Sequence, residues 1–195
     1  MKKDRISEIL EEIDLKKQEL FKEYAKLKKK YDFSFEKGRV KFSETAKKYQ
    51  TRFRTPLLKY ISKPGFRHTL SIPFIYGMII PGILLDIFLF VYQQTAMRLY
   101  GIPLVKRREY MNQDRKHLKY LNVLQKVNCM YCSYMNGLFA FALEVAGRTE
   151  KYWCPIKSAQ KKPWEHNWES KFADYGDPEG FKKCFNNSKE FKKNK

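Results

Sequence analysis

The chain lacks the sequence motifs of the common enzyme classes. Its nine glycines are scattered, and it has no Walker loop, dinucleotide-binding fingerprint, nucleophile elbow or HExxH zinc motif. Signatures of RNP, KH and zinc-finger modules are also absent. These absences lower the expectation of an enzyme. They also argue against nucleic acid as a partner, although the formal net charge is +19.

The amino terminus lacks the apolar core of a cleaved signal peptide. It reads MKKDRISEILEEIDLKK, with acidic residues throughout. We therefore expect residues 1–71 to remain on the protein. Without an export signal, the four cysteines are expected to face a reducing cytosol, where structural disulfides are uncommon.

Only one long apolar run is present, at residues 72–92 (IPFIYGMIIPGILLDIFLFVY), and Asp86 is its single charge. A straight helix rises about 1.5 Å per residue, so this run matches the roughly 30 Å hydrocarbon core of a bilayer. The favoured interpretation is one kinked transmembrane helix. A re-entrant hairpin turning at Pro81-Gly82, an in-plane segment and a buried core helix are the alternatives.

The charges flanking this run do not orient it. Residues 1–71 carry 20 Lys and Arg against 10 Asp and Glu, and residues 93–195 carry the same numbers. A single span normally shows a Lys/Arg bias toward its cytoplasmic side. Either charge orients the span poorly, or both ends stay cytoplasmic. Asp86 is a candidate functional residue, because placing a carboxylate inside a membrane costs free energy. The structural alternative is that Asp86 pairs with Arg98 or another arginine.

The amino-terminal segment, residues 1–33, has a heptad pattern that predicts a helix. The seam positions are Ile6, Leu10, Ile13, Lys17, Leu20, Tyr24, Leu27 and Tyr31. All are apolar or aromatic except Lys17. This pattern suits a homodimeric coiled coil or packing on the rest of the chain. Residues 34–71 are predicted to form a basic amphipathic approach segment, whose helix follows a break at Lys37-Gly38. Its basic face indicates attraction to anionic lipid headgroups.

The cysteines predict a metal site in the segment 93–195. Cys129 and Cys132 form a CxxC, which supplies half of a tetrahedral zinc site, and an iron–sulfur cluster is the alternative. Cys154 and Cys184 are the expected further ligands, with His166 and His117 as alternatives. Thiol redox chemistry and ordinary buried cysteines are the competing interpretations.

The remaining polar pairs in this segment are predicted to be structural. A helical region is expected from about Glu109, where Asp114 and His117 would share one face. Residues 137–146 are expected to form a short apolar helix. On that helix, Glu144 and Arg148 are spaced for an i,i+4 ion pair, with a catalytic role for Glu144 as the distant alternative. Trp164 and Trp168 are expected to cover the core near the cysteines, with a position in the headgroup layer as the alternative.

Two runs carry a resemblance to a known family. They are NCMYCSYMNG at residues 128–137 and AGRTEKYWCPIK at residues 146–157. Together they resemble an uncharacterised family of bacterial membrane proteins, and the resemblance extends over roughly residues 68–181. The resemblance implies a bacterial inner-membrane location, and it implies no particular activity. The family often has a histidine where this chain has Ser158, so that candidate ligand is missing here.

These observations predict an all-α membrane protein with four parts. They are the heptad helix 1–33, the approach segment 34–71, the transmembrane or re-entrant segment 72–92 and a cytoplasmic cysteine-containing lobe 93–195. The expected function is binding at the membrane surface by a metal-stabilised protein. The alternative is a membrane-bound metalloenzyme or thiol redox protein that uses Cys129, Cys132 and Cys154 with His117, Asp114 or Glu144.

Overall fold

The computed structural model describes residues 5–36, 39–62, 66–160 and 165–188, and these are mostly helical. The helices are α1 (Arg5–Tyr31), α2 (Glu44–Arg52), α3 (Leu57–Ser62), α4 (Phe66–Gly77), α5 (Ile79–Tyr92), α6 (Val123–Trp153) and α7 (Pro178–Ser188). Strands β1 (Phe33–Glu36) and β2 (Arg39–Phe42) pair in an antiparallel hairpin, which departs from the all-α prediction.

The chain divides into two compact units that do not follow the four sequential parts. The first unit is Met1–Lys63 with Asp114–Val127, and the second is Pro64–Gln113 with Asn128–Lys195. Helix α6 begins in the first unit and continues into the second.

Helix α1 confirms the predicted amino-terminal helix. Within its heptad seam Leu20 and Tyr24 are exposed, whereas the side chains of Ile6 and Leu10 lie outside the described residues, as does the Lys37-Gly38 break. The coiled-coil dimer therefore stays a prediction.

A hairpin and a capping serine connect α1 to α2. Asp32 follows α1 with a φ of 52°, a left-handed conformation that aspartate tolerates better than most residues. Its carbonyl accepts a hydrogen bond from the Ser43 amide at 3.2 Å. The Ser43 hydroxyl donates to the Asp32 carboxylate and accepts from the Ala46 amide at 3.1 Å, which caps α2.

Helix α6 begins later than the sequence predicts. Residues Arg107–Glu109 and Asp114–His117 form short 3-10 turns, and the α-helix starts at Val123. Asn122 and Gln125 exchange side-chain and backbone hydrogen bonds, both of 2.9 Å, in the pattern of a capping box. The cap fixes the start, so the expectation of a helix from Glu109 was wrong.

In the second unit, α6 lies beside α4 and α5 and runs in the same direction. Tyr76 donates to Asn128, and farther along Tyr92 and Thr149 share a hydrogen bond of 3.0 Å. Residues 137–146 lie inside the 31-residue α6 and are not the separate short helix that we predicted. The core between these elements consists of Met97, Ile102, Val105, Leu138, Phe141 and Val145.

The segment that returns from α5 to α6 packs closely on α6. A Cβ atom added at Gly137 would lie 2.5 Å from the carbonyl oxygen of Tyr110. Such a distance is far inside van der Waals contact, so only glycine allows the backbone of this segment to approach α6.

Residues after α6 fold back against its carboxyl-terminal end. The Lys157 amide donates to the Ala173 carbonyl at 2.8 Å, and the Ala173 amide donates to the Pro155 carbonyl at 2.9 Å. His166 packs on Gly147, where an added Cβ would lie 2.9 Å from the imidazole ring. Trp164 lies outside the described residues.

Candidate membrane-facing site

The apolar helix is exposed along nearly all of its length. Leu70–Met97 is long and apolar enough to cross a membrane, and only 6% of its most apolar window is buried. This finding excludes the interpretation as a buried core helix. The exposed apolar side chains on it are Leu70, Ile72, Phe74, Ile75, Met78, Ile80, Ile83, Leu84, Ile87, Phe88, Phe90 and Val91; we call this set the apolar arc.

Pro81 interrupts the helix without reversing it. Proline has no N–H group and cannot bond the carbonyl four residues earlier, at Gly77. The α-helix accordingly ends at Gly77. A new helix begins at Ile79, after Met78, and runs through Pro81 and Gly82. The alternative of a hairpin turning at Pro81-Gly82 is therefore wrong, and a helix interrupted near Pro81 agrees with the favoured kinked helix.

Asp86, the one charge in the apolar run, lies on the packed face of the helix. Arg107 holds it with two hydrogen bonds: Nε to Oδ1 at 2.9 Å and Nη2 to Oδ2 at 2.5 Å. The Tyr134 hydroxyl donates to Oδ2 at 3.0 Å. Burial, and then the hydrogen bond to Asp86, raise the pKa of Tyr134, so its hydroxyl stays protonated and donates. The pairing alternative for Asp86 is confirmed, with Arg107 rather than Arg98 as the partner.

The irregular backbone beside the apolar helix is also satisfied by side chains. Gln93 is 5% exposed and lies in a π-helical segment, Gln93–Met97, where its Oε1 accepts from the Val105 amide at 2.7 Å. Arg148 Nη1 donates to the carbonyls of Pro103 at 2.8 Å and Leu104 at 3.2 Å. Sequence analysis missed both roles, because Gln93 and Arg148 form no motif with the residues they contact.

Glu144 has two structural partners. Its Oε1 accepts from Arg148 Nε at 2.7 Å, which confirms the predicted i,i+4 pair, and from Trp168 Nε1 at 3.1 Å.

His166 is buried with both ring nitrogens engaged. The Trp168 amide donates to Nδ1 at 3.2 Å, so Nδ1 carries no proton. Nε2 therefore carries the proton and donates to Glu150 at 2.7 Å. A metal would have to displace one of these two contacts, so the arrangement does not favour His166 as a ligand.

The predicted metal ligands are distributed along α6 rather than gathered. Cys129 and Cys132 lie within the helix, and Cys154 follows its last residue. Cys154 lies 22 positions after Cys132, with continuous helix between them, which at 1.5 Å per residue is about 33 Å. Cys184 lies on α7, where its Sγ is 3.8 Å from the Lys171 carbonyl oxygen.

The described residues contain no group of three or more His, Cys, Asp or Glu side chains that could hold a metal ion. His117 lies in a 3-10 turn of the first unit. The Cβ atoms of Cys129 and Cys132, one helical turn apart, are about 5–6 Å from each other, which exceeds the roughly 3.5–4.5 Å of a disulfide. The described geometry thus fits neither a zinc site nor a disulfide, and zinc binding stays a prediction.

A cluster of like charges surrounds the start of α6 in the first unit. Burial, and then the charges of Lys119 and Arg54, lower the pKa of Lys126. Asn122, which is 1% exposed, connects the two chain segments that carry these residues, because its Nδ2 donates to the Thr55 carbonyl at 3.4 Å. We call Arg54, Lys119 and Lys126 the basic cluster.

Comparisons with known proteins add no relative: no family model matches the chain, and no curated protein or solved structure is significantly similar to it.

The first prediction concerns the Asp86–Arg107 ion pair. Arg107→Gln should lower the free energy of unfolding by about 1–2 kcal/mol, because it leaves a largely buried carboxylate with only Tyr134. The double variant Asp86→Asn/Arg107→Gln should lose less than the sum of the single changes. Thermal unfolding in detergent measures both effects. Arg108→Gln, which removes the same charge from an exposed neighbour, is the control, and an equal loss there would contradict the prediction.

A second prediction concerns the cysteine positions. Spin labels are attached to Cys132 and Cys154 in a protein whose Cys129 and Cys184 are replaced by serine. Pulsed electron–electron double resonance should show the labels about 33 Å apart, because α6 is continuous between them. A separation under about 15 Å, less than half the helical value, would mean that α6 bends back, and would restore a shared metal site.

Proposed function

We propose that this protein works at a membrane surface, held in lipid by the apolar arc and binding anionic headgroups through the basic cluster. The observation that carries the proposal is the exposure of the apolar helix. Leu70–Met97 meets the length and composition of a membrane helix, and almost none of it is buried by the protein. Exposed apolar patches of this extent indicate a membrane or protein interaction site.

Lipid accounts for the composition of the apolar arc better than water does. None of its members carries a charge, and the one charged side chain of the run, Asp86, faces the protein interior and is paired. The arc also surrounds most of the helix circumference, since only the face containing Gly82 is packed on α6. A bilayer can cover such a surface without a partner of matching shape.

The basic cluster supplies the second half of the proposal. Lys119 and Arg54 each repel the charge of Lys126, and Asn122 ties the start of α6 to the Thr55 carbonyl next to Arg54. A phosphate headgroup would relieve this repulsion. Each Lys or Arg near an anionic surface contributes roughly 1 kcal/mol of attraction. In this proposal the soluble parts lie in the bacterial cytoplasm, where anionic lipids face them.

The test of this function is binding of short-chain phosphatidylglycerol to the detergent-solubilised protein, measured by calorimetry. Arg54→Gln/Lys119→Gln/Lys126→Gln should weaken binding by roughly 3 kcal/mol, on the order of 100-fold. The control is Lys16→Gln/Lys17→Gln/Lys26→Gln. It removes the same charge, but from lysines that are each already paired with a carboxylate on α1.

The control should bind as the unchanged protein does. Equal binding of phosphatidylglycerol and phosphatidylcholine, or an unchanged affinity in the basic-cluster variant, would overturn the headgroup assignment.

A further inference from the structure

The depth of Asp86 sets a constraint on how the apolar helix meets a bilayer. Asp86 lies 16 residues after Leu70 and 11 before Met97, which is about 24 Å and 16 Å from the two ends of the helix. If the helix stood upright in a bilayer, Asp86 would lie inside the roughly 30 Å hydrocarbon core.

Exposed charges are fixed at the same level. Arg107 bonds both carboxylate oxygens of Asp86. The Tyr110 carbonyl lies against Gly137 of α6, and Met135 and Leu138, on either side of Gly137, lie against Gly82 of the apolar helix. Residues 107–110 are therefore held near the level of residues 82–86. The side chains of Lys106 and Glu109 are 82% and 65% exposed, and Arg108 is exposed as well. Arg107 is held by Asp86 and cannot extend to a distant headgroup layer.

An upright helix would therefore bring these charges into lipid. A charged side chain near the bilayer centre costs at least about 2.5–3.5 kcal/mol. One side of this unit is thus suited to lipid and the adjoining side is suited to water.

We infer that the apolar helix lies in the plane of a single leaflet. The apolar arc enters the acyl chains, the edge formed by residues 106–109 faces water, and both ends of the helix stay on one side of the membrane. This inference rests on the membrane association proposed above and specifies its geometry.

The charge balance of the chain agrees with this geometry. The segments before and after the apolar run have the same net charge of +10, from 20 basic and 10 acidic residues each. A span selects its orientation through a difference in Lys and Arg between its sides, and this chain has none. Two ends on the same side need no such difference.

An in-plane helix normally carries a polar face of its own. Here the packed unit supplies that face. The narrow non-lipid side of the helix, with Asp86 and Gln93, is covered by α6 and by the segment through Val105 and Arg107. Amphipathicity therefore belongs to the packed unit as a whole and does not appear in the helix sequence.

The test measures depth at three positions on one face of the helix. Ile72, Ile83 and Phe90 are all exposed, and their spacings of 11 and 7 residues correspond to about three and two helical turns. Each is replaced by cysteine in a protein whose four native cysteines are serine. A spin label is attached, and its access to oxygen and to a water-soluble nickel complex is measured in vesicles of phosphatidylcholine and phosphatidylglycerol.

An in-plane helix places all three labels at one depth, roughly 5–10 Å below the headgroups. A label at Ile83 deeper than the other two by about 10 Å or more would mean an upright helix and would overturn the inference, while membrane association would stand. Full nickel access at all three positions would overturn both proposals. Labels shielded from oxygen and nickel alike would indicate a second protein copy on the arc and would also overturn the inference.

Discussion

The pairing of Asp86 with Arg107 is the interaction on which the second unit depends. A carboxylate in an apolar helix has to be neutralised or paired, because an unpaired charge away from water is costly. Its partner comes from the returning segment, which is thereby held against α5 and also contacts α6 at Gly137. Gln93 and Arg148 then satisfy the backbone of that segment, and Gly137 allows its close approach. One charged pair thus determines where irregular chain can lie beside an apolar helix.

In the proposed membrane association, the same pair explains why the apolar run can face lipid without spanning a bilayer. Length and composition are identical for an upright and an in-plane helix, so the apolar run alone does not distinguish them. The difference arises from what the helix packs against. Here the packed side leads directly to exposed Lys106 and Glu109, and the apolar arc carries no charge at all.

Sequence analysis succeeded where a pattern depends on neighbours along one helix. The apolar run, α1 and the Glu144–Arg148 pair are local features and were predicted. The partner of Asp86 was not, because Arg107 lies 21 residues away on a segment without helical periodicity. The cysteine pattern is also incomplete as a local signal: a CxxC indicates a metal knuckle when it lies in a turn, whereas Cys129 and Cys132 lie inside a 31-residue helix, and zinc binding stays a prediction.

The most direct test of the account asks on which side of the membrane the two ends of the apolar helix lie. Arg67→Cys and Arg98→Cys flank the helix, and both positions are exposed. In a protein otherwise free of cysteine, each is treated with a membrane-impermeant maleimide in sealed vesicles of uniform orientation. The account predicts that both react or that both are protected, with full reaction after detergent is added. Reaction at one position with protection at the other would show that the helix crosses the bilayer and would contradict the account.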